Sequence, residues 1–269
     1  MRNPFRDIKA AGITVLLLGA MSAAGQTGAY KAPRGPDGHP DLNGIWQAMN
    51  TANWDLEGHA AQASQVVAMG TLGAEPGGIG VVEGGKIPYL PAALAKKQDN
   101  YKNRLNADPE VKCYLPGVPR ATYMPYPFQI FQSQNYIAIA YEYDSAFRNI
   151  YLKDPGPAPI DTWMGQSYGH WEGETLVVDV TGLDERTWFD RAGDYHSDAL
   201  HVVERYTPLA PNILNYEATI EDSKVFSRPW KISMPLYKHV EKNAQLLEFK
   251  CVEFVEDLMY GQFEKKPTK

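Results

Sequence analysis

Residues 170–180 read HWEGETLVVDV, and the reading of this stretch decides the architecture. Glu172-Gly173-Glu174 has the composition of a tight reversal, because glycine supplies the positive φ that a short hairpin needs. His170-Trp171 then ends one strand and Thr175 begins the next. In TLVVDV the side chains alternate: Thr175, Val177 and Asp179 share one face, and Leu176, Val178 and Val180 the other. Glu172 and Glu174 flank a solvated turn in this reading. Asp179, an acid in mid-strand, faces either water or a polar cavity.

The same pattern extends in both directions. Runs rich in Val, Ile, Tyr and Phe, separated by turn residues, give nine candidate strands. They lie at 128–134, 135–143, 147–153, 166–171, 175–182, 200–209, 213–222, 230–238 and 246–254. Regular short strands of this kind indicate an antiparallel barrel or sandwich. Upstream, Gly44-Ile45-Trp46 is a G-x-W where a first barrel strand would start. Lipocalin-type barrels carry such a tripeptide, whose tryptophan plugs the closed end while the glycine lets the chain bend in. The expected fold is mainly β: an antiparallel lipocalin- or calycin-like barrel, or a strongly curved sheet. An N-terminal helix and a long irregular N-terminal segment precede it.

That segment has two parts. Residues 69–89 hold seven glycines and two prolines, the composition of an irregular excursion, either a cover or a disordered insert. Pro91–Asp108 has Pro at a first-turn position, good helix formers, and Leu94, Tyr101 and Leu105 at helical spacing. There is no βαβ alternation, glycine-rich phosphate loop or internal repeat.

The 269 residues are 44% hydrophobic, enough for one sizeable core, and the net charge is −6. With no basic surplus to neutralise phosphates, nucleic acid is excluded as an expected partner. The first residues are laid out as a secretory signal: Arg2, Arg6 and Lys9, then the apolar run 11–21, then small residues. The run is short for a membrane span, which needs roughly 20 residues. Cleavage is expected near Ala24 or Gly25, the alternative being an N-terminal anchor. The expected organisation is a signal peptide over 1–25 and an extension over 26–110 carrying the first strand, the glycine-rich loop and the helix. The barrel covers 111–269, and one globular domain spans 40–262. After cleavage no spanning run remains, and a soluble periplasmic or secreted protein is expected. In such a compartment the only two cysteines, Cys113 and Cys251, invite a disulfide.

The chain also resembles a large family of exported bacterial proteins. The stretches that carry the resemblance are PDGHPDLNGIW, CYLPGVPRATYMPYPFQI, WMGQSYGHWEGETLVVDVTGL, TWFDRAGDYHSDALHVVERY, YEATIED and LLEFKCVEF, spread over residues 37–260. Both cysteines fall inside these motifs, so the resemblance favours the disulfide. The family often has arginine where His170 stands, and D-G-R-x-H-P where this chain reads KDPGPAP. His170 is therefore set aside as a catalytic residue. The resemblance implies an exported β-rich protein and no particular reaction.

The richest polar cluster is AGDYHSDALHVVERY, residues 192–206. Residues 192–199 read as a loop and LHVVERY as a strand. Alternation puts His201, Val203 and Arg205 on one side, and Val202, Glu204 and Tyr206 on the other. Glu217 of YEATIED and Asp179 could join Arg205 and His201 in a shared interior, the usual setting of a small-molecule site. Glu204 would join them only through a bulge. The alternative is a solvated outer face with cross-strand ion pairs. Histidine beside a carboxylate suits general acid–base chemistry. A metal set of His196, His201 and Glu204 or Asp198 lacks suitable spacing, so no metal and no cofactor is expected.

Three functions follow. The first is an exported, cofactor-independent enzyme doing proton transfer, as a lyase, isomerase or hydrolase, on a small hydrophobic or aromatic molecule. In it His201 or His196 is the acid or base, Glu204 and Asp179 tune it, and Arg205 holds an anionic oxygen. Glu217, Tyr168 and Trp171 complete the binding set. The second is a periplasmic lipocalin-like carrier without catalysis, and the third a structural envelope protein.

Overall fold

The computed structural model describes residues 30–64 and 67–263; the expected signal segment lies outside them. Among the described residues, nine strands close into one barrel in sequence order. They are β1 (Gly44–Ala48), β2 (Phe128–Gln132), β3 (Ile137–Tyr141), β4 (Phe147–Tyr151), β5 (Gln166–Glu172), β6 (Thr175–Thr181), β7 (His201–Ala210), β8 (Ile213–Glu221) and β9 (Trp230–Lys238). The hairpin at Glu172–Thr175 forms as expected, with Gly173 at φ 61°.

Two expectations need correction. Residues 246–254 form no strand. β9 pairs with β1 and closes the ring, so no edge is left for another strand there. The barrel is also not wholly antiparallel: β4 and β5 run parallel, through Ile150 opposite Ser167 and Tyr151 opposite Tyr168. Parity requires this. Nine strictly alternating strands would leave β1 and β9 parallel, and one parallel step restores the antiparallel closure that is observed. Parallel neighbours need a crossover rather than a tight turn, and residues 152–165 supply it.

The G-x-W performs the expected closure. Trp46 is 2% exposed, and its indole N–H donates to the Leu42 carbonyl at 2.9 Å. Gly44 has φ 138°, and a Cβ there would meet Lys238 Cε at 2.4 Å. The Lys238 ammonium lies 5.3 Å from the centre of the Trp46 ring.

Strand directions sort the connections. One end of the barrel has tight loops at 133–136, 173–174 and 211–212. The other end carries 49–127, 142–146, 182–200 and 222–229, which build a cap. Within it, α1 (Pro91–Ala107) buries Ala93 and Arg104. Of the expected stripe Leu94 is exposed, while Tyr101 and Leu105 are half-buried. The helix meets the 182–200 loop at Gly193, where a Cβ would lie 2.7 Å from Asn100 Cβ. α2 (Arg120–Tyr123) is fully buried. Residues 81–83 bond to Lys231 and Ser233, covering the part of β9 that short β1 leaves open. After β9 the chain climbs back to the cap, where α3 (Val255–Tyr260) follows. It is fastened there by the Cys113–Cys251 disulfide. No helix among the described residues is long and apolar enough to cross a membrane.

Candidate functional site

Alternation along the strands is as read from the sequence, and of the two faces left open there the aliphatic one points inward. Leu176, Val178 and Val180, Val202, Glu204 and Tyr206, and Leu214, Tyr216, Ala218 and Ile220 are all at most 1% exposed. Glu204 faces inward by plain alternation, and the only β7–β8 irregularity falls at Pro208/Ala210. His201, Arg205, Asp179 and Glu217 are on the outer face, as ion pairs. His201 Nε2 lies 3.3 Å from Asp179 Oδ1 and its Nδ1 3.3 Å from Glu221 Oε2. Arg205 reaches Glu172 at 2.9 Å, and Glu217 pairs with Lys231 at 3.3 Å. The apolar set decides the face: three aliphatics of β6 and the β8 set must be buried, and β7 follows their register.

Burying Glu204 requires compensation, since a bare charge in an apolar interior is very costly. Arg148 of β4 donates to Glu204 Oε2. The hydroxyls of Tyr206 and Tyr216 donate to Oε1 at 3.0 and 2.8 Å. Burial, with Glu204 beside them, pushes both phenols well up, so they remain donors. Arg148 Nε donates to Ser167 Oγ at 2.7 Å. The barrel interior is thus packed around an ion pair whose carboxylate is fully engaged, while Arg148 Nη1 is buried without a hydrogen-bond partner.

The other expected residues are dispersed. His196 is 1% exposed. Its Nδ1 faces the Ser197 carbonyl at 2.9 Å, which only accepts, so Nδ1 carries the proton and Nε2 accepts from Thr187 Oγ1 at 2.6 Å. Burial pushes its pKa down, keeping it neutral. His196 lies in the cap, Glu204 inside the barrel, His201 on the outer face against Asp179, and Asp198 on the surface against Lys224. Trp171 stacks on His39 at 4.7 Å, and Tyr168 lies 6.0 Å from His170.

The cap holds what the sequence did not reveal. Three pockets, of about 270, 160 and 130 Å³, meet around Arg191. The largest is walled by three rings, Tyr126, Tyr143 and Phe249, with centroids 4.8–5.6 Å apart. Leu105, Val111 and Cys251 add to its apolar part. Its polar end is a buried charge network. Arg191 grips Glu110 through two bonds of 2.8 and 2.5 Å. Arg120, 1% exposed, bonds Glu110 at 2.8 Å, Asp108 at 3.0 and 3.3 Å, and Asn53 at 2.9 Å. Burial alone would raise the Glu110 carboxyl; Arg191 and Arg120 outweigh it and hold the pKa at about 2. Burial, with Glu110 nearby, pushes the Tyr143 hydroxyl up.

These residues come from 53–54, 105–126, 143, 191 and 249–257, so no local motif joins them. The signal that could have found them is the long 183–199 connection, whose WFDRAGDY supplies Arg191. Comparisons of the chain with protein-family models, curated proteins and solved structures return no match.

Proposed function

We propose that the protein binds a small, mainly apolar molecule with an aromatic body in the cap pocket beside the disulfide. The observation that carries this reading is the pocket of about 270 Å³, with three rings on one side and a fixed ion pair on the other. Apolar walls with few convergent polar groups are the usual composition of a small-molecule site. Binding is favoured over turnover there because Glu110 stays ionised and Tyr143 stays protonated near neutrality, and neither suits proton transfer. Export to the periplasm or beyond is part of the reading, supported by the disulfide.

Proton-transfer catalysis on the same class of molecule is the second reading. It is supported by the His201–Asp179 pair, 3.3 Å apart with both partners open to solvent.

Titration with anilinonaphthalenesulfonate, a small aromatic fluorophore, tests the first reading. One saturable site is expected. Phe249→Ala should weaken it about tenfold or more, and Val111→Trp, which fills the pocket, should remove it. Unsaturable binding, or equal binding in both variants, overturns the proposal.

A further inference from the structure

Beside the cap pockets, three carboxylates converge from two segments. Asp55 follows β1, and Asp190 and Asp194 lie in the 182–200 loop. One oxygen from each can be chosen so that all three lie within 4.8 Å of one another. Oxygens around a calcium ion, each 2.3–2.6 Å from it, are separated by roughly 3–5 Å. Asp190 is 0% and Asp194 1% exposed, while Asp55 is partly open and also lines the 130 Å³ pocket.

The hydrogen bonds orient the group and leave part of it vacant. Asp190 accepts from the Leu56 and Asp194 amides at 2.9 and 3.1 Å. Asp55 Oδ1 accepts from the Glu57 amide at 2.8 Å. Asp194 Oδ1 accepts from the Tyr89 hydroxyl at 2.7 Å. Asp194 Oδ2, fully buried, receives no hydrogen bond from the protein. Lys97 Nζ is 3.7 Å from it, an ion pair beyond hydrogen-bond length. Three carboxylates thus share one lysine; burial and the neighbouring Asp194 push the Asp190 carboxyl well above its usual range, and the buried Asp194 oxygen has a donor only when Asp190 carries a proton. An uncompensated charge of this kind is costly enough that something must neutralise it.

We infer that Asp55, Asp190 and Asp194 form a binding site for one hard divalent cation of calcium's size. All-oxygen donors select such a cation over zinc or copper. Asp194 Oδ2 and the free oxygen of Asp55 supply the open valences, and Asp190 is pre-set by its two amide bonds. The site stands apart from the aromatic pocket and does not depend on a ligand there.

The test is calorimetric titration of the chelator-treated protein with calcium chloride alone, beside thermal unfolding with and without calcium. One ion per chain is expected, with melting raised by about 5 °C at saturation. Asp194→Asn and Asp55→Asn should each remove binding and the calcium-dependent shift. Both should fold, because the amide keeps the side chain's shape. In calcium-free buffer each should melt at or above wild type, since each relieves repulsion. Absence of binding heat and of any shift with calcium, magnesium or manganese overturns the inference and leaves a shared proton as the neutralising partner. Undiminished calcium binding in both variants overturns it equally.

Discussion

At the scale of the residue, Glu204 is the most consequential side chain in the barrel. Its charge is tolerated because Arg148, Tyr206 and Tyr216 arrive from three directions. Removing one member of such a set leaves the others buried and unpaired, typically at about 3–5 kcal/mol. Arg148→Met should therefore lower unfolding free energy by that order in urea titrations. Adding Glu204→Gln to it should restore part of the loss, because glutamine still accepts from both tyrosines. Equal losses in the single and double variants would show that the ion pair is not what Arg148 supports.

The residue scale also shows what was legible in the sequence. Alternation in TLVVDV and LHVVERY was readable, because period two is a property of one strand. Which face is buried was not, because Glu204 is tolerable inside only with an arginine 56 positions away. The sequence left open whether His201, Arg205, Asp179 and Glu217 line an interior or a solvated face, and the aliphatic sets of β6 and β8 decide for the solvated face.

At the scale of the element, the β4–β5 seam is the thinnest part of the wall, with two paired residues against seven for β5–β6. Gly169 sits on it, and a Cβ there would lie 2.5 Å from Ile150 Cγ2. That methyl belongs to a branched core side chain and cannot simply rotate away. Gly169→Ala should cost about 1–3 kcal/mol and raise hydrogen exchange in β4 and β5 before the rest of the barrel. Uniform exchange across all nine strands would count against a weak seam. Eight of the nine expected strands, and the first strand at Gly44, were readable from composition. The parallel step was not, because direction is a property of the closed ring. The ninth expected strand has strand-like residues, but tertiary closure outweighs its propensity.

For the whole molecule, the cap pocket depends on the chain returning from the far end of the barrel. Phe249 and Cys251 reach the pocket only because the segment after β9 climbs back and is fastened to Cys113, 138 positions away. The chain-entropy estimate gives about 4–5 kcal/mol for a loop of this length. Cys113→Ser/Cys251→Ser should lose stability of that order against urea, and its affinity for the fluorophore should fall. A double variant that binds as tightly as wild type would detach the pocket from the clasp. The fold class and the disulfide could be anticipated from the chain. The charge network of Glu110, Arg120 and Arg191 could not, because its members meet only once the cap is folded.

The parallel step between β4 and β5 has an evolutionary corollary. Losing either partner would leave eight strands of strictly alternating direction, a ring that still closes. Losing any other single strand would set two same-direction neighbours side by side at a second point and force a new crossover there. Length variation among descendants of this barrel should therefore gather around residues 147–172, the one place where the wall can lose a stave without renegotiating its closure.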